Sequence, residues 1–358
     1  MGSRVGTDAK TDGTKIRTRT DNATKLTTAY SYDTQNRLTY AQEADAAGAR
    51  KASWRYCLDK AGNLTHQDTT AATACPAAPT YTYNDASQLT AKGGSTTGWS
   101  YDKAGNETAA ATTTARTGET WSDFSQLTSI TTGGTARDLV YAGTTNDERT
   151  KLGDTWFHNT ALGLAGSTTN GADTGFIREP AGTLNSMRTG GKSYYYLTDA
   201  TGSVLGLVDE AGERTHTYSP TGQTRTTPTE KITQPYRYAG TYADPTGLYK
   251  MGARYYDPTL GRFNQPDPSG QETNPYLYAA ADPVNNTDST GLWSWGDFAK
   301  ATIGATITGA AGGCATGAVA SIWTGPGAVA GCGIGAAGGA AGGVVTGSLG
   351  YTWTQVTK

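Results

Sequence analysis

Short stretches of alternating character, each closed by an aromatic residue, fill most of the chain, and each is followed by a polar turn and then by Leu-Thr or a similar start. Tyr32-Asp33-Thr34-Gln35-Asn36-Arg37-Leu38 sets the pattern. It recurs at Asp59-Lys60-Ala61-Gly62-Asn63-Leu64, with Tyr56 ahead of it, and at Tyr83-Asn84-Asp85-Ala86-Ser87-Gln88-Leu89. Tyr101-Asp102-Lys103-Ala104-Gly105-Asn106-Glu107 is the best copy, and Trp121-Ser122-Asp123-Phe124-Ser125-Gln126-Leu127 a worn one. The copies end at 38, 64, 89, 107 and 127, a period drifting between 18 and 26. An Asp or Asn side chain that caps its own turn, followed by a residue tolerant of positive φ, makes each unit one β-hairpin. A lone hairpin is barely stable, so the pattern predicts that copies pair side by side into sheet, with the Tyr and Leu positions facing inward.

The pattern changes after Leu292. No charged residue occurs from Ala301 to Thr357, and Gly325-Pro326-Gly327 divides this stretch into two segments, each long enough to cross a bilayer as a helix. Gly331, Gly335, Gly339, Gly343 and Gly347 repeat every four residues, as do Ala305, Gly309, Gly313, Gly317, Ser321 and Gly325 before the break. On helices this spacing gathers small residues on one face, a seam that lets two backbones approach closely in lipid. Trp293, Trp295, Trp323, Tyr351 and Trp353 lie near the segment ends, where interfacial aromatics belong. The expectation is a glycine-zipper helical hairpin that inserts into membranes or oligomerises. A flexible low-complexity tail is the alternative. A nuclease or deaminase is disfavoured, because no acid-base cluster follows Lys300.

Composition supports a β-rich chain. The 358 residues include 48 Gly and 21 Tyr, with only 36% hydrophobic residues. With 29 Lys and Arg against 31 Asp and Glu, charge gives no reason to expect nucleic acid as a partner. Met1-Gly2-Ser3-Arg4 leads into a polar stretch without an apolar core, so the expectation is a piece of a longer exported chain, its route not encoded here. Cys57 and Cys75, like Cys314 and Cys332, stand 18 residues apart, and both pairs are candidate disulfides in an exported protein. His66, His158 and His216 are scattered, and no cofactor or metal site is expected.

Residues 194–292 carry a denser series of motifs. Tyr195-Tyr196-Leu197-Thr198-Asp199-Ala200-Thr201-Gly202-Ser203 and Tyr218-Ser219-Pro220-Thr221-Gly222 come first. Tyr236-Arg237-Tyr238-Ala239-Gly240, Asp244-Pro245-Thr246-Gly247-Leu248-Tyr249 and Ala253-Arg254-Tyr255-Tyr256-Asp257-Pro258 follow. Gln265-Pro266-Asp267-Pro268, Asn274-Pro275-Tyr276-Leu277-Tyr278 and Asp282-Pro283-Val284-Asn285 lead to the closing Asp288-Ser289-Thr290-Gly291-Leu292. This series resembles the RHS-repeat-associated core, and the hairpins resemble the YD repeats, of the RHS family. That family includes bacterial polymorphic toxins, the C components of insecticidal toxin complexes and the teneurins. The resemblance implies a mainly β fold, a hairpin spiral, here a partial shell because the countable hairpins are few. It divides the chain into 1–24 (disordered or a partial repeat), 25–193 (YD sheet), 194–292 (core) and 293–358 (variable tail).

The resemblance also implies chemistry. In such proteins the core seals the shell and cuts its own chain after the final Gly-Leu, here between Leu292 and Trp293, keeping the tail as cargo. Two aspartates are thought to act in the manner of an aspartic protease, and by motif they map to Asp244 and Asp267. Such a pair shares one proton, the ionised member activating water and the other polarising the carbonyl of Leu292. Arg262, five residues before Asp267, is the candidate for holding a carboxylate or the developing oxyanion. The sequence departs from the family at Ser289, where Pro is usual, and at Tyr242-Ala243, where Glu-Arg is common, so an arginine that would orient Asp244 is missing locally. The expected function is a secreted or surface-associated toxin carrier that encloses and releases a membrane-active tail, at most a single-turnover enzyme, with an immunity protein or target membrane as candidate partners. Alternatives are a non-enzymatic surface-binding YD protein and a truncated remnant.

Overall fold

Asp, Asn or Ser opens each of the repeated turns, and one hydrogen-bond scheme closes them all. In the computed structural model the N–H of Asp33 donates to the carbonyl of Arg37 and the N–H of Asn36 donates back to that of Asp33. The same pair of bonds closes Asp59–Asn63, Asn84–Gln88, Asp102–Asn106 and Ser122–Gln126. It also closes Asp45–Ala49, outside the repeated motif, and Asp199–Ser203 and Ser219–Gln223 in the denser series that follows. Asp33 Oδ1 accepts the N–H of Gln35 and of Arg37, each at 2.9 Å, so the side chain satisfies donors that the turn would otherwise strand. The fourth residue takes positive φ, 64° at Asn36 and 89° at Gly105. At Gly105 a side chain is excluded twice over, since a Cβ would lie 2.9 Å from both Pro266 and the Tyr276 hydroxyl.

The structure describes residues 7–292, apart from 12–14, 23, 147, 181, 209–212, 215–216 and 226–231. The expected helical hairpin, its glycine seam and the Cys314 and Cys332 pair lie outside these residues. Among the described residues no helix is long and apolar enough to cross a membrane. The fold is mainly β, as expected. Strands β1 (Thr7–Thr11), β2 (Ile16–Asp21), β3 (Leu26–Tyr32), β4 (Leu38–Ala44), β5 (Arg50–Leu58) and β6 (Leu64–Asp68) pair in chain order into one antiparallel sheet. β7 (Tyr81–Tyr83) with β8 (Leu89–Lys92), and β9 (Ser100–Tyr101) with β10 (Glu107–Ala109), are two-stranded pairs. From β11 (Arg116–Trp121) to β21 (Glu213–Arg214) the strands again pair in sequence, 11 in one sheet. Threonines meet across strands, Thr20 with Thr27 at 2.9 Å and Thr120 with Thr128 at 2.8 Å, and add side-chain hydrogen bonds to the ladder. Cys57 and Cys75 form a disulfide that ties β5 to the loop beyond β6.

The cassette folds as β22 (Tyr242–Ala243), β23 (Tyr249–Met251), β24 (Arg254–Asp257) and β25 (Arg262–Phe263), a four-stranded sheet of its own. Its one face carries Tyr249, Met251, Tyr256 and Phe263, which pack with Tyr238 and Tyr278. The Tyr256 and Tyr278 ring centres are 4.4 Å apart. Buried tyrosines need partners for their hydroxyls. Those of Tyr238, Tyr256 and Tyr249 donate in turn to the carbonyls of Pro220, Thr221 and Gly222 at 3.0, 2.8 and 3.0 Å. The other face places Leu248 and Tyr255 against Leu127, Ile130, Leu139, Leu152 and Phe157 of the longer sheet. Single polar contacts then stitch the cassette to successive hairpins. Tyr276 donates to the Gly105 carbonyl at 2.6 Å, Asn274 to Asn63 at 2.8 Å, and Lys15 pairs with Asp282 at 2.6 Å.

Candidate functional site: the closing end of the cassette

Residues 290–292 lie against the turn between β23 and β24 and are held there by their carbonyls. That of Thr290 accepts the N–H of Ala253 at 2.8 Å, and that of Gly291 accepts Arg254 Nε at 2.5 Å. That of Leu292 accepts the Ser269 hydroxyl at 2.7 Å. The fit is close: a Cβ on Gly252 would fall 2.1 Å from the Thr290 carbonyl oxygen, and one on Gly291 would fall 2.3 Å from that of Met251. Arg254 is fully buried and spends every branch of its fork, reaching Gly291, Pro275 at 3.0 Å and Asp288 at 2.9 Å. Burial lowers its pKa, against the opposing pull of Asp288 and then Asp267. Asp267 sits beside this end. Its carboxylate accepts the N–H groups of Ser269 at 2.9 Å and Gln271 at 3.0 Å, and both its oxygens contact the Ser269 hydroxyl, at 2.8 and 2.7 Å.

Asp244 occupies different surroundings. Its turn closes like the others, with Asp244 N–H on the Leu248 carbonyl, yet its carboxylate leaves the turn for Arg149. The two guanidinium branches reach its two oxygens at 2.5 and 2.7 Å, and Arg149 also donates to the Tyr255 hydroxyl at 3.2 Å. Burial works against the Arg149 charge; Asp244, with the Tyr255 and Tyr141 hydroxyls, outweighs it and leaves the pKa raised. Arg149, reaching in from the longer sheet, is thus the arginine that holds Asp244. Arg254 and Tyr255 are neighbours on β24 and project from opposite faces. Asp267 belongs with the first and Asp244 with the second, and no hydrogen bond joins the two carboxylates. Arg262 is also placed elsewhere: it lies against the rings of Tyr276 and Tyr83, at 4.5 and 5.0 Å, and donates to the Ser87 carbonyl. The guanidinium at the cassette end is that of Arg254.

A second buried cluster of acids was missed by the sequence reading. Arg116 donates to Glu107 at 2.9 and 2.6 Å and to Asp257 at 2.7 Å, while Glu119 lies 3.6 Å from Arg116 with neither oxygen bonded to a donor. One arginine cannot neutralise three buried carboxylates. Burial, then the charge of Glu107, raises the Glu119 pKa well above 4.5, while burial raises that of Glu107 against the pull of Arg116, so Glu119, farther from the arginine, is the favoured proton carrier of the pair. Stability from this proton is complete below the unfolded value near 4.5 and is lost as pH rises through the raised folded value. Glu119→Gln, a neutral mimic of the protonated acid, should abolish that decline, read as the urea midpoint against pH from 4 upward on the scale set by the 4.5 value. An unchanged slope would mean that Glu119 is ionised. The readable signal was Glu107 itself, which stands where Leu38, Leu64, Leu89 and Leu127 stand in the other copies.

Residues 167–284 match the Teneurin YD-shell family. The tRNA3(Ser)-specific nuclease WapA of Bacillus spizizenii is 32% identical over 218 residues, 55% of this chain but 9% of that protein. Salivary gland surface protein 1 of Aedes aegypti is 38% identical over 125 residues, 33% of this chain and 4% of that protein. Toxin protein Tse5 of Pseudomonas aeruginosa is 37% identical over 102 residues, 27% and 8% of the two chains. The chain thus spans less than a tenth of the length of these relatives. Among solved structures, TcdB2-TccC3 without its hypervariable C-terminal region superposes with a TM-score of 0.54 at 17% identity, covering 80% of this chain and 17% of that one. At that identity the likeness is one of fold. The stacked Tyr-Asp hairpins, the ordered series of cassette motifs and these matches agree: residues 167–284 carry the YD-shell pattern of the matched family, on a β fold like that of TcdB2-TccC3.

Proposed function

We propose that this chain is the C-terminal part of an RHS-repeat toxin carrier that encloses a variable tail and cuts it free after Leu292. The observation that carries this reading is the grip on residues 290–292, whose three carbonyls each have a donor from another part of the cassette. Buried carbonyls find donors in any fold, but three consecutive ones held from separate segments fix the peptide groups leading to one bond in a single geometry, which is what a modest catalyst needs to cut its own chain. Asp267 is the acid at this position, and Asp244 serves as the buried joint to Arg149. Relatives named as toxins favour the carrier reading, and export or surface location follows from it as part of the proposal. The intact mass of the purified chain should fall into two pieces split between Leu292 and Trp293, and Asp267→Asn should leave it whole. The freed 293–358 fragment should release dye from liposomes if it is the membrane-active cargo that its glycine seam suggests. An unbroken wild-type chain would remove the reading. That result would favour a binding protein, for which Trp156 and Tyr195, 52% and 57% exposed on the long sheet, offer contact surface, and glycan or protein binding by the intact chain would be its mark.

A further inference from the structure

We propose that Ser269 is a catalytic residue of this cleavage, the hydroxyl that polarises the Leu292 carbonyl and thereby selects the bond; the assignment rests on the cut proposed above. Ser269 Oγ stands 2.7 Å from the Leu292 carbonyl oxygen and 2.8 and 2.7 Å from the two oxygens of Asp267. A serine hydroxyl owns one proton, while a carbonyl and an ionised carboxylate only accept. The chain of contacts is complete when Asp267 is a carboxylic acid, its one proton donated to Ser269 and that of the Ser269 hydroxyl to Leu292.

The step then balances. Water attacks the Leu292 carbonyl carbon, and the π pair moves onto the carbonyl oxygen. Asp267 delivers its proton there through Ser269, and the proton lost by the attacking water restores Asp267. Collapse of the resulting diol breaks the bond to Trp293, whose nitrogen takes one hydroxyl proton as Leu292 becomes the new carboxyl end. Nothing is oxidised or reduced, and one water is consumed.

The neighbouring peptide groups explain the choice of bond. The Thr290 carbonyl is occupied by a backbone amide, which cannot relay a proton, and the Gly291 carbonyl is held by Arg254, which has none to give up at ordinary pH. Gly291 is buried, whereas Leu292 is partly open and within reach of water. Only the Leu292 carbonyl combines a hydroxyl donor coupled to an acid with access to the attacking molecule.

Ser269→Thr and Ser269→Val form the test, because they match in shape and differ in the hydroxyl. Each full chain is refolded from denaturant and its intact mass followed in time, with the urea midpoint and circular dichroism confirming equal folding. Threonine should cleave close to the wild-type rate at the same bond, and valine about 100-fold more slowly, the usual cost of one lost oxyanion donor. Valine cleaving like threonine would overturn the assignment while leaving self-cleavage standing. Threonine as inactive as valine in an equally folded chain would also overturn it. A wild-type chain that stays whole would bring down both this assignment and the cleavage itself.

Discussion

Arg149→Met should destabilise the folded chain by about 3–5 kcal/mol, the usual cost of stripping one partner from a buried ion pair. Both members are sealed from solvent, with side-chain exposures of 4% and 1%. Methionine fills most of the space and leaves the Asp244 carboxylate with no counter-charge, so the loss comes chiefly from stranding that acid. The effect should therefore be largely relieved by Asp244→Asn in the same chain, although Asp244→Asn alone is also harmful because it strands the arginine. Urea unfolding of the four chains of this cycle measures the coupling. A single Arg149→Met chain within 1 kcal/mol of wild type, on the ~1 kcal/mol scale of ordinary surface pairs, would show that the ion pair is not the joint between cassette and sheet.

Gly252→Ala should have a comparable effect by a different route. The residue has φ +47°, and its added Cβ would fall 2.1 Å from the Thr290 oxygen and 2.5 Å from the Thr290 carbon, all backbone that cannot rotate away. Left-handed strain and overpacking together should cost about 3 kcal/mol or release residues 288–292 from their seat. Hydrogen exchange at the Ala253 amide, whose bond to Thr290 would be lost, reports the release directly. A displaced Leu292 should also be cut about 100-fold more slowly, since a shift near 1 Å is enough for that. Normal protection at Ala253 together with normal cleavage would mean that the cassette end is not seated by this turn.

Much of this was readable in the chain because the turn chemistry is local. Asp33 and Asp59 bond to amides within four residues, so the motif and its structure coincide. Pairings between distant segments were not readable. Arg149 lies 95 residues from Asp244, and no spacing rule connects them. Arg262 shows the converse error: closeness to Asp267 along the chain suggested a shared site, but a guanidinium on β25 is carried to the hairpin rings and Ser87 instead. Ser269 was hidden because a serine within Asp-Pro-Ser-Gly looks like an ordinary turn former. Its second role depends on Leu292 arriving 23 residues later.

The pairing order of the strands has a consequence for timing. Every hairpin forms with its sequence neighbour and can do so as it leaves the ribosome. The grip on residues 290–292 cannot: it needs β24 and the loop at 269, and the cassette is itself anchored to residues as early as Lys15, 267 positions upstream. A bond placed there would therefore meet the proposed catalyst only once residues 269 and 290–292 have emerged and joined the assembled array. Scission would act as a receipt for complete folding of the array, and a chain misfolded upstream would keep its tail attached.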